Sequence, residues 1–432
     1  MSTPALARLV GAVPDFTDRV WGREPLLRQG ASGTVGWPEL LTVDDVDELL
    51  SIRGLRTPFL RMARSGRTLP ERSFTGPGGV GAGIADQVSD TEVFRQFAEG
   101  ATIVLQALHR NWPPLIEFTH TLGAELGHPV QVNAYVTPPQ SQGFAAHYDV
   151  HDVFILQLAG TKEWRVHAPV HPWPMRDEPW DLFTDAVQAR ADQEPVLEAV
   201  LHPGDCLYLP RGYLHSAVAQ GEVSAHLTLG VHTWTTVDLV RALLDEALSE
   251  VTAREQARAP LALGVAVDDP YALAEQLQVA RRLLIDTLDQ VGDEAVAERL
   301  AQRLRAGQRP EPVRPVALAT ATRTLQGTSR LRRRRQVAAR LDHRPDGTIR
   351  VVGRGIDTTL GPEYAWILAG IPQEGDFSPD DLQTRRSPTA DPGAGEPSVD
   401  AVTGCAHLLR AGLLVPAQDG GTGPTSQAAS RA

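Results

Sequence analysis

Apolar and polar positions fall into three successive patterns along the chain. Between 130 and 235 short β-rich runs follow one another: "VQVNAYVTP" (130–138), "HDVFILQLAG" (151–160), "TKEWRVHAP" (161–169), "EAVLHPGDCLYLPRG" (198–212) and "SAHLTLGVHTW" (224–234). Gly and Pro punctuate them, the pattern of an all-β barrel or sandwich, and "AGTK" (159–162) is read as a hairpin turn between two runs. From 237 to about 306 the period becomes helical, in "TVDLVRALLDEALSEVTAREQAR" (236–258), "PYALAEQLQVARRLLIDTLDQVG" (270–292) and "DEAVAERLAQRLRAG" (293–307). Such a block is too thin to form a core alone, so it is expected to pack on the barrel or on a partner subunit. Residues 1–125 mix helix and loop. There "TVDDVDELLS" (42–51) opens on a Thr cap with acids in its first turn. "NWPPLIEFTHTLGAELG" (111–127) reads as a Pro-started helix with a Gly stop.

The end of the chain mixes signals. "QRPEPVRPVA" (308–317) is a Pro-rich linker. "GTIRVVGRGIDTTLGPEYAWILAGI" predicts two short strands and a helix, and "SVDAVTGCAHLLRAGLLVPAQ" a helix ending in a strand. Together they suit a small winged-helix-like module over 311–418, followed by a disordered tail, 419–432. The whole reads as an α+β chain.

Composition narrows the function classes. The formal net charge of −12 argues against global attraction to nucleic acid. One dense basic run, "RLRRRRQVAAR" (330–340), is expected as a solvated helix or an acidic-partner surface, and direct nucleic-acid binding is disfavoured. The two cysteines, Cys206 and Cys405, exclude a disulfide framework and a CxxC zinc site. The N-terminal stretch lacks a basic region followed by an apolar core, and no run approaches the ~20 apolar residues of a membrane span. A cytoplasmic setting is expected.

Chemistry concentrates in the β-rich segment. Side chains two apart on a strand share a face, so His147 and Asp149 can reach into one barrel together. "GDCLYLPRGYLH" sets Gly204, Pro210, Gly212 and His215 at G-x5-P-x-G-x2-H, a spacing that resembles the second cupin motif. A second histidine, His215, completes a two-His-one-carboxylate triad with positions left open for non-haem Fe(II). Asn often follows this histidine by four in cupins; here the position is Ala219. His151 is a rival ligand on the same face, and His147 with His151 also fits an HxxxH zinc pair; the β-like residues that follow favour the triad with Asp149. His226 reads as a pocket or core histidine, Trp164 as core packing, and His167 and His171 as exposed.

Among 41 Lys and Arg residues the single lysine is Lys162. An ammonium is a compact point charge, whereas a guanidinium is wide and planar. A chain that writes Arg elsewhere keeps Lys where Arg does not fit. One buried cation is what the distal carboxylate of 2-oxoglutarate needs, once its keto-acid end has chelated the iron.

With "NAY…HYD…LAGTKEW…PGDCLYLPRGYLH…HLTL" in place, the chain resembles the JmjC-type cupin 2-oxoglutarate oxygenases, in particular the ribosomal oxygenase group and its bacterial relatives. The motif-bearing match covers about 130–235, and the later helical block and C-terminal module extend it loosely. The resemblance implies a double-stranded β-helix (1–235, barrel core about 130–235) with N-terminal helices, a helical dimerisation region (236–310) and the winged-helix-like module. It implies Fe(II) on His147, Asp149 and His215, 2-oxoglutarate on Lys162, O2 as co-substrate, and Asn133 and Tyr135 lining the co-substrate pocket. A pocket Ser of the family is Gly230 here. The implied activity is hydroxylation of a protein side chain, Arg or His of a ribosomal protein, by a homodimer. Loops such as 136–146 and 170–197 would build the substrate pocket. The same chemistry on a small molecule or RNA base, and a non-catalytic metal-binding cupin, are the alternatives.

Overall fold

The computed structural model describes residues 4–64, 66–307, 309–385 and 399–417. The tail expected to be disordered, 419–432, lies outside the described residues. Two compact units divide the chain, Met1–Thr236 and Val237–Ala432.

The first unit is built on a nine-stranded sheet in which every pairing is antiparallel. Its strands are β1 (Leu26–Arg28), β2 (Leu60–Arg64), β3 (Arg67–Thr68), β4 (Thr102–Leu105), β5 (Val130–Thr137), β6 (Asp152–His167), β7 (Leu197–Leu201), β8 (Cys206–Leu209) and β9 (Leu214–Val231). The order is β1-β8-β6-β9-β5-β4-β2-β3, with β7 also on β6. The strands before residue 130 were not legible in the mixed pattern of that region, and β2 and β4 continue the sheet beyond β5.

Alternation sorts side chains between two faces. On one face Val132, Ala134, Val136, Phe154, Leu156, Leu227 and Leu229 join the main core with Leu9, Phe118 and Leu122 of the N-terminal helices. On the other, Val153, Ile155, Trp164, Leu207 and Leu209 form a second cluster inside the barrel. Burial on both faces explains why these runs are so apolar. Helix Val43–Ser51 starts on the expected Thr42 cap, which forms a reciprocal capping box with Asp45. Helix Pro113–Leu126 ends at Gly127 with φ 71°.

The expected hairpin at 159–162 is absent. Residues 152–167 are one strand that bends at Gly160 (φ 59°), and β9 shifts register opposite, between Gln220 and Ala225. A Cβ on Gly160 would lie 2.2 Å from the Val223 carbonyl oxygen. Glycine thus serves a bulge here, and β6 pairs with β8 before the bend and β7 after it. Lys162 therefore lies in the second half of the same strand and does not open a new one.

The second unit begins with helices Thr236–Ala253, Ala274–Leu288 and Asp293–Gly307, as the periodicity predicts. Arg303–Asp245 at 2.7 Å and the Arg299–Glu246 pair tie the first of these to the last. Strands Arg340–His343, Ile349–Gly353 and Ile356–Leu360 then form a meander, and Leu331–Arg333 pairs with Leu414–Pro416. Leu331, Ile349, Phe377, Cys405 and Leu408 share its core. The basic run 330–340 is no helix: it runs from one strand through a loop into another. The Arg333 guanidinium donates to the carbonyls of Pro372 and Ile371 at 2.9 and 3.0 Å, and Arg332 grips Glu311 bidentately at 2.8 and 2.5 Å. No helix of the described residues is long and apolar enough to cross a membrane.

Candidate metal centre

Two segments far apart in sequence are fastened to each other at the barrel mouth. The His147 amide donates to the His215 carbonyl at 3.2 Å, and the His215 amide donates back to the His147 carbonyl at 2.8 Å. Gly212, in the tight turn before His215, donates its amide to the Asp149 carbonyl at 3.1 Å. Its φ of 89° and the His171 oxygen 2.8 Å from where a Cβ would lie reserve this position for glycine. The G-x5-P-x-G-x2-H spacing thus delivers His215 by locking its turn onto the HxD segment.

One ligand atom each from His147, Asp149 and His215 lies within 4.8 Å of the others. The two imidazole centroids are 4.5 Å apart, and His215 Nε2 is 3.8 Å from Asp149 Oδ2. Nδ1 of His147 faces the Ala145 carbonyl at 2.8 Å, and Nδ1 of His215 faces that of Tyr213 at 3.1 Å. A carbonyl only accepts, so each Nδ1 carries the proton and each Nε2 keeps its lone pair for a metal. Burial lowers the His215 imidazole to about 4, which holds it neutral as a ligand must be. Burial alone would raise the Asp149 carboxyl; the imidazoles of His151, His215 and His147, with Arg61, outweigh it and keep the group below the ordinary carboxylate value. Two imidazoles and a carboxylate on one side, with a cavity on the other, fit a divalent transition metal with open positions.

Lys162 and the triad line one cavity of about 260 Å³. The lysine is 4% exposed. Its Nζ donates to Thr137 Oγ1 at 3.0 Å, and Thr102 Oγ1 bonds the same hydroxyl at 3.2 Å. Burial lowers the ammonium to about 7. Among the residues lining the cavity the one carboxylate is Asp149. A buried ammonium that meets a hydroxyl and the Trp164 ring, its centroid 6.0 Å away, but no carboxylate is costly, and an anionic ligand seated beside it removes that cost. The chain's residues therefore fit both a metal and a carboxylate-bearing co-substrate.

Tyr135 also lines the cavity and stacks on His226, with centroids 5.0 Å apart and planes 4° from parallel. Asn133 does not line it; its side-chain carbonyl accepts the Ala107 amide at 3.0 Å, and its side chain neighbours the Tyr135 phenol. His226 is buried between Tyr135 and Trp164, and burial and Lys162 drive it well below the ordinary imidazole value. It stands outside the metal-ligating group, as expected, and so does His151, whose Nε2 is 3.3 Å from Gln131 Nε2. At Gly230 a Cβ would lie 3.0 Å from the His151 ring, so that ring and Gln131 fill the space a side chain would take. His167 is buried, contrary to expectation, because β9 and the Gln193 carbonyl cover it; His171 is half-buried against Phe183 and Glu178. Sequence reading missed Arg61, Thr102, Phe144 and Trp180, all cavity residues. Phe144 and Trp180 come from the two loops named above, and their rings lie 5.9 and 6.4 Å from that of His147.

Residues 116–239 match the family model of the JmjC domain. Ribosomal oxygenase 1 of Rattus norvegicus is 37% identical over 185 residues, 42% of this chain and 26% of that protein. The bifunctional lysine-specific demethylase and histidyl-hydroxylase NO66 of Aedes aegypti is 27% identical over 357 residues, 78% of this chain and 51% of that protein. The chain thus spans about half or less of the length of these curated relatives. The crystal structure of the Escherichia coli ribosomal oxygenase YcfD shares the fold, with a TM-score of 0.51 at 16% identity over 94% of this chain and 98% of that one. Another structure of YcfD holds cobalt and 2-oxoglutarate. Residues 116–239 of this chain match the JmjC domain, its fold is that of YcfD, and the proteins it is similar to include ribosomal oxygenases.

Proposed function

We propose that this chain is an Fe(II)- and 2-oxoglutarate-dependent oxygenase that hydroxylates a side chain of a ribosomal protein. The observation that carries the reading is the convergence of His147, Asp149 and His215 within 4.8 Å on the cavity that also holds the buried, unneutralised Lys162. When bound, the metal with the keto acid supplies the oxygen-activating chemistry. The protein's part is placement. His147, neutral His215 and ionised Asp149 would hold the metal. Lys162 receives the distal carboxylate, and Thr137 and Thr102 orient its ammonium. Tyr135, His226 and Trp164 wall the site and exclude water, while Phe144 and Trp180 flank the side where substrate enters. Asn133 supports Tyr135 from its own strand.

The same proposal covers the setting. Helix Thr236–Ala253 leaves Leu239, Val240, Leu244 and Leu248 exposed at 51, 47, 41 and 61%, which suits a homodimer face. Helices Pro315–Arg323, Ala365–Gly370, Pro379–Arg385 and Ala401–Arg410, with the meander, suit a winged-helix-like module. Two buried free thiols, Cys206 and Cys405, suit a reducing cytoplasm.

The test is succinate release from 2-oxoglutarate by the iron-loaded chain, with and without ribosomal proteins. Hydroxylation would register as the mass of one added oxygen. Lys162→Ala is expected to lose 2-oxoglutarate binding and keep the metal. Absence of both 2-oxoglutarate binding and succinate formation would leave a metal-binding interaction protein as the reading.

A further inference from the structure

The cavity holds a second cation that the reading above does not use. Arg61 lies on β2 and lines the cavity beside Tyr135, Phe144, His147 and Asp149. Its neighbours in sequence are spent otherwise: Arg64 pairs with Glu99 at 2.7 Å and Arg56 with Asp86 at 2.6 Å, both on the outside. Arg61 points the other way. Its Nε is buried with no hydrogen-bond partner among the described residues. Its guanidinium carbon stands 5.4 Å from the Phe144 ring centroid, and that ring is 5.9 Å from the ring of His147. The guanidinium is thus one aromatic ring away from a metal ligand, facing the phenol of Tyr135.

Charge decides what such a group is for. A dianionic keto acid answers the metal and Lys162, and Asp149, the one carboxylate lining the cavity, belongs to the metal. The positive charge of Arg61 is then left over where substrate enters. The Phe144 face that would attract an entering cation is already taken by Arg61.

We propose that Arg61 selects the reacting side chain: it repels guanidinium and ammonium groups and donates a hydrogen bond to a neutral one with a free lone pair, an imidazole or a carboxamide. This rests on the oxygenase reading and adds the substrate class to it. Repulsion between like charges separated by several ångströms in a partly buried site disfavours the cation by about tenfold or more.

The experiment uses the full chain loaded with Mn(II) and 2-oxoglutarate without oxygen, so that binding is read independently of turnover. Line broadening of 2-oxoglutarate by the bound Mn(II) is recorded first; its absence sinks the oxygenase reading itself. With that signal present, N-acetyl-histidinamide, -glutaminamide, -argininamide and -lysinamide are titrated above the imidazole pKa. The wild-type chain is expected to bind the histidine and glutamine probes at least about tenfold more tightly than the cationic ones. Arg61→Gln should erase that preference while 2-oxoglutarate stays bound, and Arg61→Lys should keep most of it. Equal or better binding of the arginine probe to wild type, an unchanged preference in Arg61→Gln, loss of 2-oxoglutarate in that variant, or no binding of any probe would each overturn the assignment.

Discussion

Lys162 carries an electrostatic cost in the cavity. Burial brings its ammonium from 10.5 down to about 7. The unfolded chain binds that proton throughout this window and the folded chain does not, so stability rises with pH from about 7 towards 10.5. Below about 7 the folded chain bears the full cost. Lys162→Met is therefore expected to raise the thermal midpoint by several degrees near neutral pH, and the gain should fade at alkaline pH; thermal melts across that range check it. A carboxylate beside the ammonium draws the proton back. Affinity for 2-oxoglutarate should accordingly weaken as pH rises above about 7, by up to about tenfold per unit, measurable by calorimetry. Asp149→Asn keeps the size of the ligand and removes its charge, and it should cost most of the Mn(II) affinity in an EPR titration. These residues were readable from sequence because each is written in a local spacing: H-x-D, G-x5-P-x-G-x2-H, and a lone Lys among arginines. Arg61 and Thr102 had no such signal. They reach the cavity through the pairing of β2 with β4 and of β4 with β5, contacts between residues far apart in the chain.

At the scale of elements the same contrast holds for Gly160. A glycine between two apolar runs marks a turn or a bulge equally well. The choice depends on β9, which pairs with β6 on both sides of the bend and lies more than 50 residues downstream. Gly160→Val is expected to lose about 3 kcal/mol or more, from the positive φ and the clash with the Val223 carbonyl. Chemical denaturation would measure it. A midpoint equal to wild type would mean the strand does not bend there. By contrast Thr42→Ala, which removes a local cap, should cost only about 1 kcal/mol and leave the cavity untouched. The basic run 330–340 departs from the expected helix for a related reason. Its arginines find their acceptors in carbonyls and a carboxylate of other segments, which no helical period encodes.

For the whole molecule, every residue of the cavity lies between Arg61 and Thr228, inside the first unit. A chain cut after residue 236 is therefore expected to bind Mn(II) and 2-oxoglutarate with the affinity of the full chain, whatever the second unit adds. The exposed leucines of helix Thr236–Ala253 belong instead to the face proposed for a homodimer. Replacing Leu244 and Leu248 by Glu should yield monomers in light scattering, with succinate formation per chain to be compared at equal metal loading.

One consequence follows from the long bent strand. Asp149 lies just before β6 and Lys162 in its second half, so a single stretch of backbone carries a proposed metal ligand and the proposed partner of the distal carboxylate. The strand is buried along its first half and hydrogen-bonded to neighbours on both edges, which fixes the spacing of the two residues. Under the proposed function it would serve as a ruler, and a keto diacid one methylene shorter or longer than 2-oxoglutarate is expected to bind more weakly in the same calorimetry.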